Sequence, residues 1–223
     1  MEDYAAARTK MVDCQLRTND VTDYAVLAAM GEIPRERFVP ARMRPLAYID
    51  EDIRVKDASA GAPARYLMEP APFARLVQLA GIAPSDIVLD IGCATGYSTA
   101  LLSRLAGTVV GLEPDAELAA AARAVLAQLG ATSAQIVVGP MTNGVPEAGP
   151  YDAIILNGAV DVIPEPLFEQ LKEAGRLVAV VRAGPLGRAT LHVRRGGVVS
   201  KRPLFDAAVP VLQGFEAPRR FVF

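Results

Sequence analysis

Four residues in one short stretch have the types and spacing to do chemistry: Asp90, Gly92, Gly96 and Glu113. Gly92 and Gly96 bracket a turn, Gly-Cys-Ala-Thr-Gly, in which the backbone must bend sharply and can approach a ligand closely. Glu113 follows Asp90 by 23 residues. In a Rossmann-like unit that is about where a carboxylate holds two ribose hydroxyls. Two adjacent hydroxyls are two donors, and an ionised carboxylate presents two acceptor oxygens, so the match is bidentate.

The flanking residues supply the elements that must position these groups. Ile87, Val88 and Leu89 form a short apolar run of the buried-strand kind. Residues 98–105 carry leucines at helical spacing, and residues 108–112 are a second apolar strand. A nicotinamide fingerprint requires glycine at relative positions one, three and six. Counted from Gly92, those positions hold Gly92, Ala94 and Tyr97, so that reading fails. The pattern Asp90-x-Gly92-x-Ala94-x-Gly96 instead resembles the first motif of class I S-adenosylmethionine-dependent methyltransferases, with alanine at the middle glycine. An acid there suits a cofactor bearing an ammonium and a sulfonium, and would repel the pyrophosphate of a dinucleotide. Cys93, inside the turn, reads as a small residue against the ligand rather than a nucleophile.

The chain of 223 residues is long enough for one α/β domain with additions. Its hydrophobic content is 52%, but the apolar runs are short and broken by charge, which excludes a membrane span. The first residues, Met-Glu-Asp-Tyr-Ala-Ala-Ala-Arg, lack the basic end and apolar core of a secretory signal. A net charge of −2 gives no electrostatic case for nucleic acid. Two cysteines, Cys14 and Cys93, make no disulfide framework and fit a reducing, cytoplasmic setting.

Read in order, residues 3–18 are helical, and Thr22 caps a second helix running to Met30. Residues 47–52 are expected to be partly extended, and residues 56–65 are linker-like. Pro70 starts a helix that places Phe73, Leu76, Val77 and Ala80 on one face. A helix over 115–129 stops at Gly130. Further strands fall at 135–138, 151–157 and 175–181, with a helix at 164–172 before the last. Residues 189–200 read as a hairpin turning at Gly196-Gly197, and a final strand is expected near 209–212. The fold class is therefore α/β: a doubly wound, mostly parallel sheet with an antiparallel C-terminal edge and an N-terminal helical extension. One compact unit is expected, with the helical extension and linker at 1–65 packing on a cofactor-binding domain at 66–223.

The chain resembles the protein-L-isoaspartate O-methyltransferase family over roughly residues 10–212. The resemblance rests on Met11-Val-Asp-Cys-Gln-Leu16, Ile33-Pro-Arg-Glu-Arg-Phe-Val-Pro40, Ala47-Tyr-Ile-Asp50, the turn ending at Tyr97, Gly149-Pro-Tyr-Asp-Ala-Ile-Ile155 and Ile163-Pro-Glu-Pro-Leu167. It implies a methyltransferase using S-adenosylmethionine to methylate the carboxylate of L-isoaspartyl residues in damaged proteins. Cofactor contacts are then expected from Asp90, Gly92, Cys93, Ala94, Gly96, Tyr97, Ser98, Glu113, Pro114, Met141 and Asn157. Two segments depart from the family. Its Gly-Gln-Thr-Ile-Ser-Gln-Pro is here Ala64-Arg-Tyr-Leu-Met-Glu-Pro70, and its Gly-Asp-Gly is Gly139-Pro140-Met141. Tyr66, Met68 and Glu69 thus become the substrate-pocket candidates. An inward, ionised Glu69 would repel an acceptor carboxylate; an outward one would simply sit at a helix start. Arg65 follows a linker-like stretch and is expected in solvent.

A carboxylate acceptor is already ionised at neutral pH and needs no general base. That suits a chain whose one histidine, His192, reads as structural. The expected partner is a protein or peptide bearing isoaspartate, with no nucleic acid and no membrane. Two alternatives stay open: another acceptor, with Glu69 or Asp50 as base, and cofactor binding without transfer. Asn157-Gly-Ala-Val160 does not match the Asn/Asp-Pro-Pro-aromatic signature of nucleic-acid amino-methyltransferases.

Overall fold

The computed structural model describes residues 3–59, 61–183 and 186–217. Its centre is a seven-stranded sheet in the order β5-β4-β3-β6-β7-β8-β9. These strands are β3 (Ile87–Ile91), β4 (Thr108–Glu113), β5 (Ala134–Val138), β6 (Tyr151–Val160), β7 (Leu171–Ala183), β8 (Leu186–Arg195) and β9 (Val198–Ala207). The first five are parallel, and β8 and β9 close the edge antiparallel. The chain runs outward from β3 through β4 to β5, then returns to the other side of β3 as β6. Strand order therefore reverses at β3, and a ligand crevice is expected beyond the carboxyl ends of β3, β4 and β6.

Alternation along the central strands fills two cores. Val88, Val109, Ala153, Ile155, Val178 and Val180 face one side, and Leu89, Ile91, Val110, Leu112, Ile154, Leu156 and Leu177 the other. The first side is covered by α1 (Tyr4–Met11), α2 (Tyr24–Glu32), α3 (Pro70–Ala80), α4 (Tyr97–Leu102) and α5 (Ala116–Gln128). The second is covered by α6 (Glu165–Glu169) and by Met141, Leu212 and Phe215. Phe73, Leu76, Val77 and Ala80 are all buried, as their spacing predicts.

Several elements differ from the sequence reading. The first helix continues past Met11 as a wider turn over Val12–Leu16. Asp23, not Thr22, caps α2, its carboxylate accepting from the backbone N–H of Ala25 and Val26. A carboxylate outcompetes a hydroxyl when both sit near the open N–H groups of a helix start. Residues 47–52 are turns and bends, and extended structure begins at β1 (Ile53–Lys56). β1 pairs antiparallel with β2 (Arg65–Leu67), so the linker-like stretch is largely the connection within a two-stranded hairpin. The helix expected over 164–172 stops at Glu169, because Leu171 is taken into pairing with Tyr151. Near 209–212 there is only a bridge between Ala159 and Val211.

Candidate active site

Asp90, the last residue but one of β3, is fully buried. One carboxylate oxygen accepts from Ser98 Oγ at 2.7 Å and Thr99 Oγ1 at 2.5 Å. The other accepts from Asn157 Nδ2 on β6, which also donates to the Ile91 carbonyl at 3.1 Å. Asp90 thus ties strand, helix start and neighbouring strand together beneath the turn, rather than projecting as a free acid. Burial pushes its pKa up to about 6, against the three donors, which pull it down.

The turn itself demands left-handed backbone. Gly92 has φ +78° and Gly96 +89°. A Cβ on Gly96 would lie 2.8 Å from Ala122 Cβ, so this glycine also lets the turn seat against α5. A Cβ on Gly92 would meet Leu212 Cδ2 at 2.7 Å and Met141 Sδ at 3.3 Å, which places both side chains over the turn. Ala94 has φ +47° without being glycine, and its N–H donates to Glu113 Oε2 at 2.8 Å. Cys93 is buried, and desolvation holds its thiol pKa well above the ordinary value. Tyr97 points into the core, edge-on to Phe38 at 5.5 Å and beneath the Arg35 guanidinium at 4.9 Å.

Glu113 is the last residue of β4 and is fully buried. Arg65 overturns its sequence reading: it is not in solvent but pairs with both Glu113 oxygens, Nη1 to Oε1 and Nη2 to Oε2 at 2.8 Å. The Asp115 N–H donates to Oε1 at 3.2 Å. A side chain of such charge settles in the interior only where an opposite charge receives it.

Beside the turn is a cavity of about 10 Å³ whose lining includes Tyr66, Met68, Cys93, Ser98 and Asn157. Glu69 does not line it. Glu69 precedes α3 at its N-terminus, half-buried, with its N–H donating to Asp52 Oδ1 at 2.8 Å. Burial, then the nearby Asp52 and Asp50, raises its pKa. Glu69 thus sits at the helix start, outside that cavity. Pro114 lines a separate cavity with Arg65 and Asp115. His192 lies on β8, its ring 5.3 Å from Phe168.

Three contributors were missed from sequence. Arg65 carries no local mark beyond replacing a glutamine of the resembled family. Leu212 belongs to the stretch read as a strand. Arg35 is fully buried, with Nε donating to the Ala47 carbonyl at 2.8 Å and Nη2 to the Met68 carbonyl at 2.7 Å. It fixes the backbone of the segment that lines the cavity.

Residues 7–208 match the family described as protein-L-isoaspartate(D-aspartate) O-methyltransferase. The chain belongs to this family. It is 37% identical to the protein-L-isoaspartate O-methyltransferase of Koribacter versatilis, over 97% of this chain and 96% of that one. It is 40% identical to that of Methylorubrum extorquens, over 87% and 82%. A solved protein-L-isoaspartate O-methyltransferase superimposes with a TM-score of 0.80 at 28% identity, covering 93% of this chain and 66% of that one. The β-aspartate methyltransferase from Plasmodium falciparum, solved with S-adenosyl-L-homocysteine, superimposes at 0.77 and 19% identity, a likeness of fold. Family membership makes the chain an S-adenosylmethionine-dependent methyltransferase. The donor set fits that cofactor: an acid ends β4, a glycine turn permits close backbone approach, and the Met141 thioether lies beside Gly92. Among the described residues, no helix is long and apolar enough to cross a membrane.

Proposed function

We propose that the protein methylates the free carboxylate of L-isoaspartyl residues in damaged proteins and peptides. The observation that carries this reading is Glu113: a buried acid at the carboxyl end of β4, next to the glycine turn and one strand from the strand-order reversal at β3. Glu113 is the acceptor for two ribose hydroxyls. The backbone of 92–98 cradles the rest of the nucleoside, with Pro114 and Met141 at its sides. Asp90 and Asn157 hold that backbone in place. S-adenosylmethionine supplies a methyl group made electrophilic by its sulfonium. An isoaspartyl carboxylate is ionised at neutral pH, so the protein need supply no base. What remains is alignment and exclusion of water. Tyr66 and Met68 line the cavity, and the Tyr66 hydroxyl is the donor available to the acceptor in place of the family's small hydroxyls. Glu69, at the helix start, stands clear of that cavity, which removes the repulsion an inward acid would exert.

A second reading is favoured by Met68, a thioether with little hydrogen-bonding capacity where the resembled family has serine. In this reading the same site methylates a different acceptor. The deciding experiment is transfer of labelled methyl from S-adenosylmethionine to an isoaspartyl peptide, with the matched aspartyl peptide as control. Base-labile label on the isoaspartyl peptide alone is the expected result. No transfer, in a preparation that binds the cofactor, would overturn the isoaspartyl assignment in favour of the other acceptor.

A further inference from the structure

We infer that Arg65 is a latch on the nucleoside site, closing it until the cofactor displaces its guanidinium from Glu113. This rests on Glu113 being the ribose acceptor, as proposed above.

A carboxylate has about four lone-pair positions, and at Glu113 all four are filled. Arg65 and the Asp115 N–H occupy Oε1; Arg65 and the Ala94 N–H occupy Oε2. Ribose hydroxyls must donate to this carboxylate, so two donors have to leave. The two backbone donors are fixed by the turn and by the chain's exit from β4. The two guanidinium donors are not. Arg65 belongs to the β1–β2 hairpin, which forms a sheet of its own apart from the seven central strands.

The cavities point the same way. The space beside the turn, about 10 Å³, holds one water at most, whereas small-molecule sites run to roughly 300 Å³ and above. Arg65 lines both a cavity of about 130 Å³ against Pro114 and Asp115 and one of about 20 Å³ against Asn157 and Leu212. It stands between them, so its departure joins the spaces around the turn. A second tie holds the hairpin down: Lys56 Nζ lies 2.5 Å from Asp115 Oδ2 and 2.7 Å from Glu117 Oε2. These partners are more exposed than Arg65 and Glu113, so the buried pair is the stronger restraint.

A ligand that binds only the open form has its affinity reduced by the open fraction. Arg65→Gln keeps polarity at the position and removes the charge that pairs with Glu113. Calorimetry with S-adenosyl-L-homocysteine should show this variant binding about tenfold or more tighter than the unaltered protein, the gain expected when a form open about one time in ten becomes the main one. Amide hydrogen exchange on the unaltered protein gives an independent readout that needs no substitution. Adding S-adenosyl-L-homocysteine should speed exchange in residues 53–67 while slowing it in residues 90–98. Equal or weaker binding by Arg65→Gln, with slower exchange in 53–67 on ligand addition, would overturn the latch and leave the cofactor assignment standing. Failure of both proteins to bind the ligand would overturn the nucleoside assignment at Glu113, and the latch with it.

Discussion

Asp90 gives the protein a pH dependence opposite in sign to that of a salt-bridged carboxylate. Its folded-state pKa is pushed up to about 6 by burial, from an ordinary 3.8. Between these values the folded protein keeps a proton that the unfolded chain has released. Stability therefore falls as pH rises: it is highest below about 3.8 and declines until pH passes 6. At 1.36 kcal/mol per unit the whole effect is about 3 kcal/mol, of which roughly 2 to 2.5 lies between pH 4 and pH 7.5. The test is Asp90→Asn. An asparagine oxygen still accepts from Asn157, and its amide can donate to the Ser98 and Thr99 hydroxyls, which rotate to accept. Urea unfolding of both proteins at pH 4 and pH 7.5 gives the stability difference at each pH. Titrating groups remote from Asp90 cancel in that difference, including Asp161, whose pKa is lowered by its hydrogen bond with Arg182. The wild type should lose about 2 kcal/mol relative to Asp90→Asn on going from pH 4 to 7.5. With a urea slope of about 2–3 kcal/mol per molar, the gap between midpoints moves by about 1 M. A gap that stays constant, or moves the other way, would refute the claim that burial outweighs the three donors.

Two further outcomes follow from the same geometry. Arg35→Met removes the donors to the Ala47 and Met68 carbonyls while keeping most of the bulk; it should cost about 2–4 kcal/mol and lower the calorimetric Tm by about 5–15 °C. Kinetics on the folded fraction should show the methyl-transfer rate falling with it, because Met68 loses its backbone anchor; an unchanged Tm would show that the two carbonyls find other partners. Ala94→Gly relieves a left-handed backbone, φ +47°, at a residue with a Cβ, and should raise stability by about 1 kcal/mol in denaturant unfolding. A loss of stability there would mean that the Ala94 side chain packs more favourably than the strain it carries.

The sequence by itself determined most of the sheet and the place of the site. The apolar runs at 87–89, 108–112 and 151–157 read as buried strands, and Gly92 and Gly96 marked a sharp turn between strand and helix. Local chemistry also placed Pro70 at the start of α3 and Gly130 just past the end of α5, because helix termini are set by residues within one turn of them. Where two local solutions competed, the sequence chose less well: Asp23 rather than Thr22 capped α2, and pairing with Tyr151 drew Leu171 out of the helix expected there.

Only the tertiary structure decided what the charged groups do. Arg65 and Glu113 are 48 residues apart, and no periodicity or spacing links a hairpin residue to a strand end across that distance. Arg35 stands in a charged, proline-flanked run, yet it is fully buried, giving hydrogen bonds to the Ala47 and Met68 carbonyls. Glu69 was poised between two directions until the backbone of 50–70 was set, and Asp90 looked like a ligand-facing acid until Ser98, Thr99 and Asn157 closed around it. Strands and turns follow from neighbours along the chain. A buried charge takes its partner from whatever the fold brings within hydrogen-bonding reach, and its state is fixed by how much water that packing excludes.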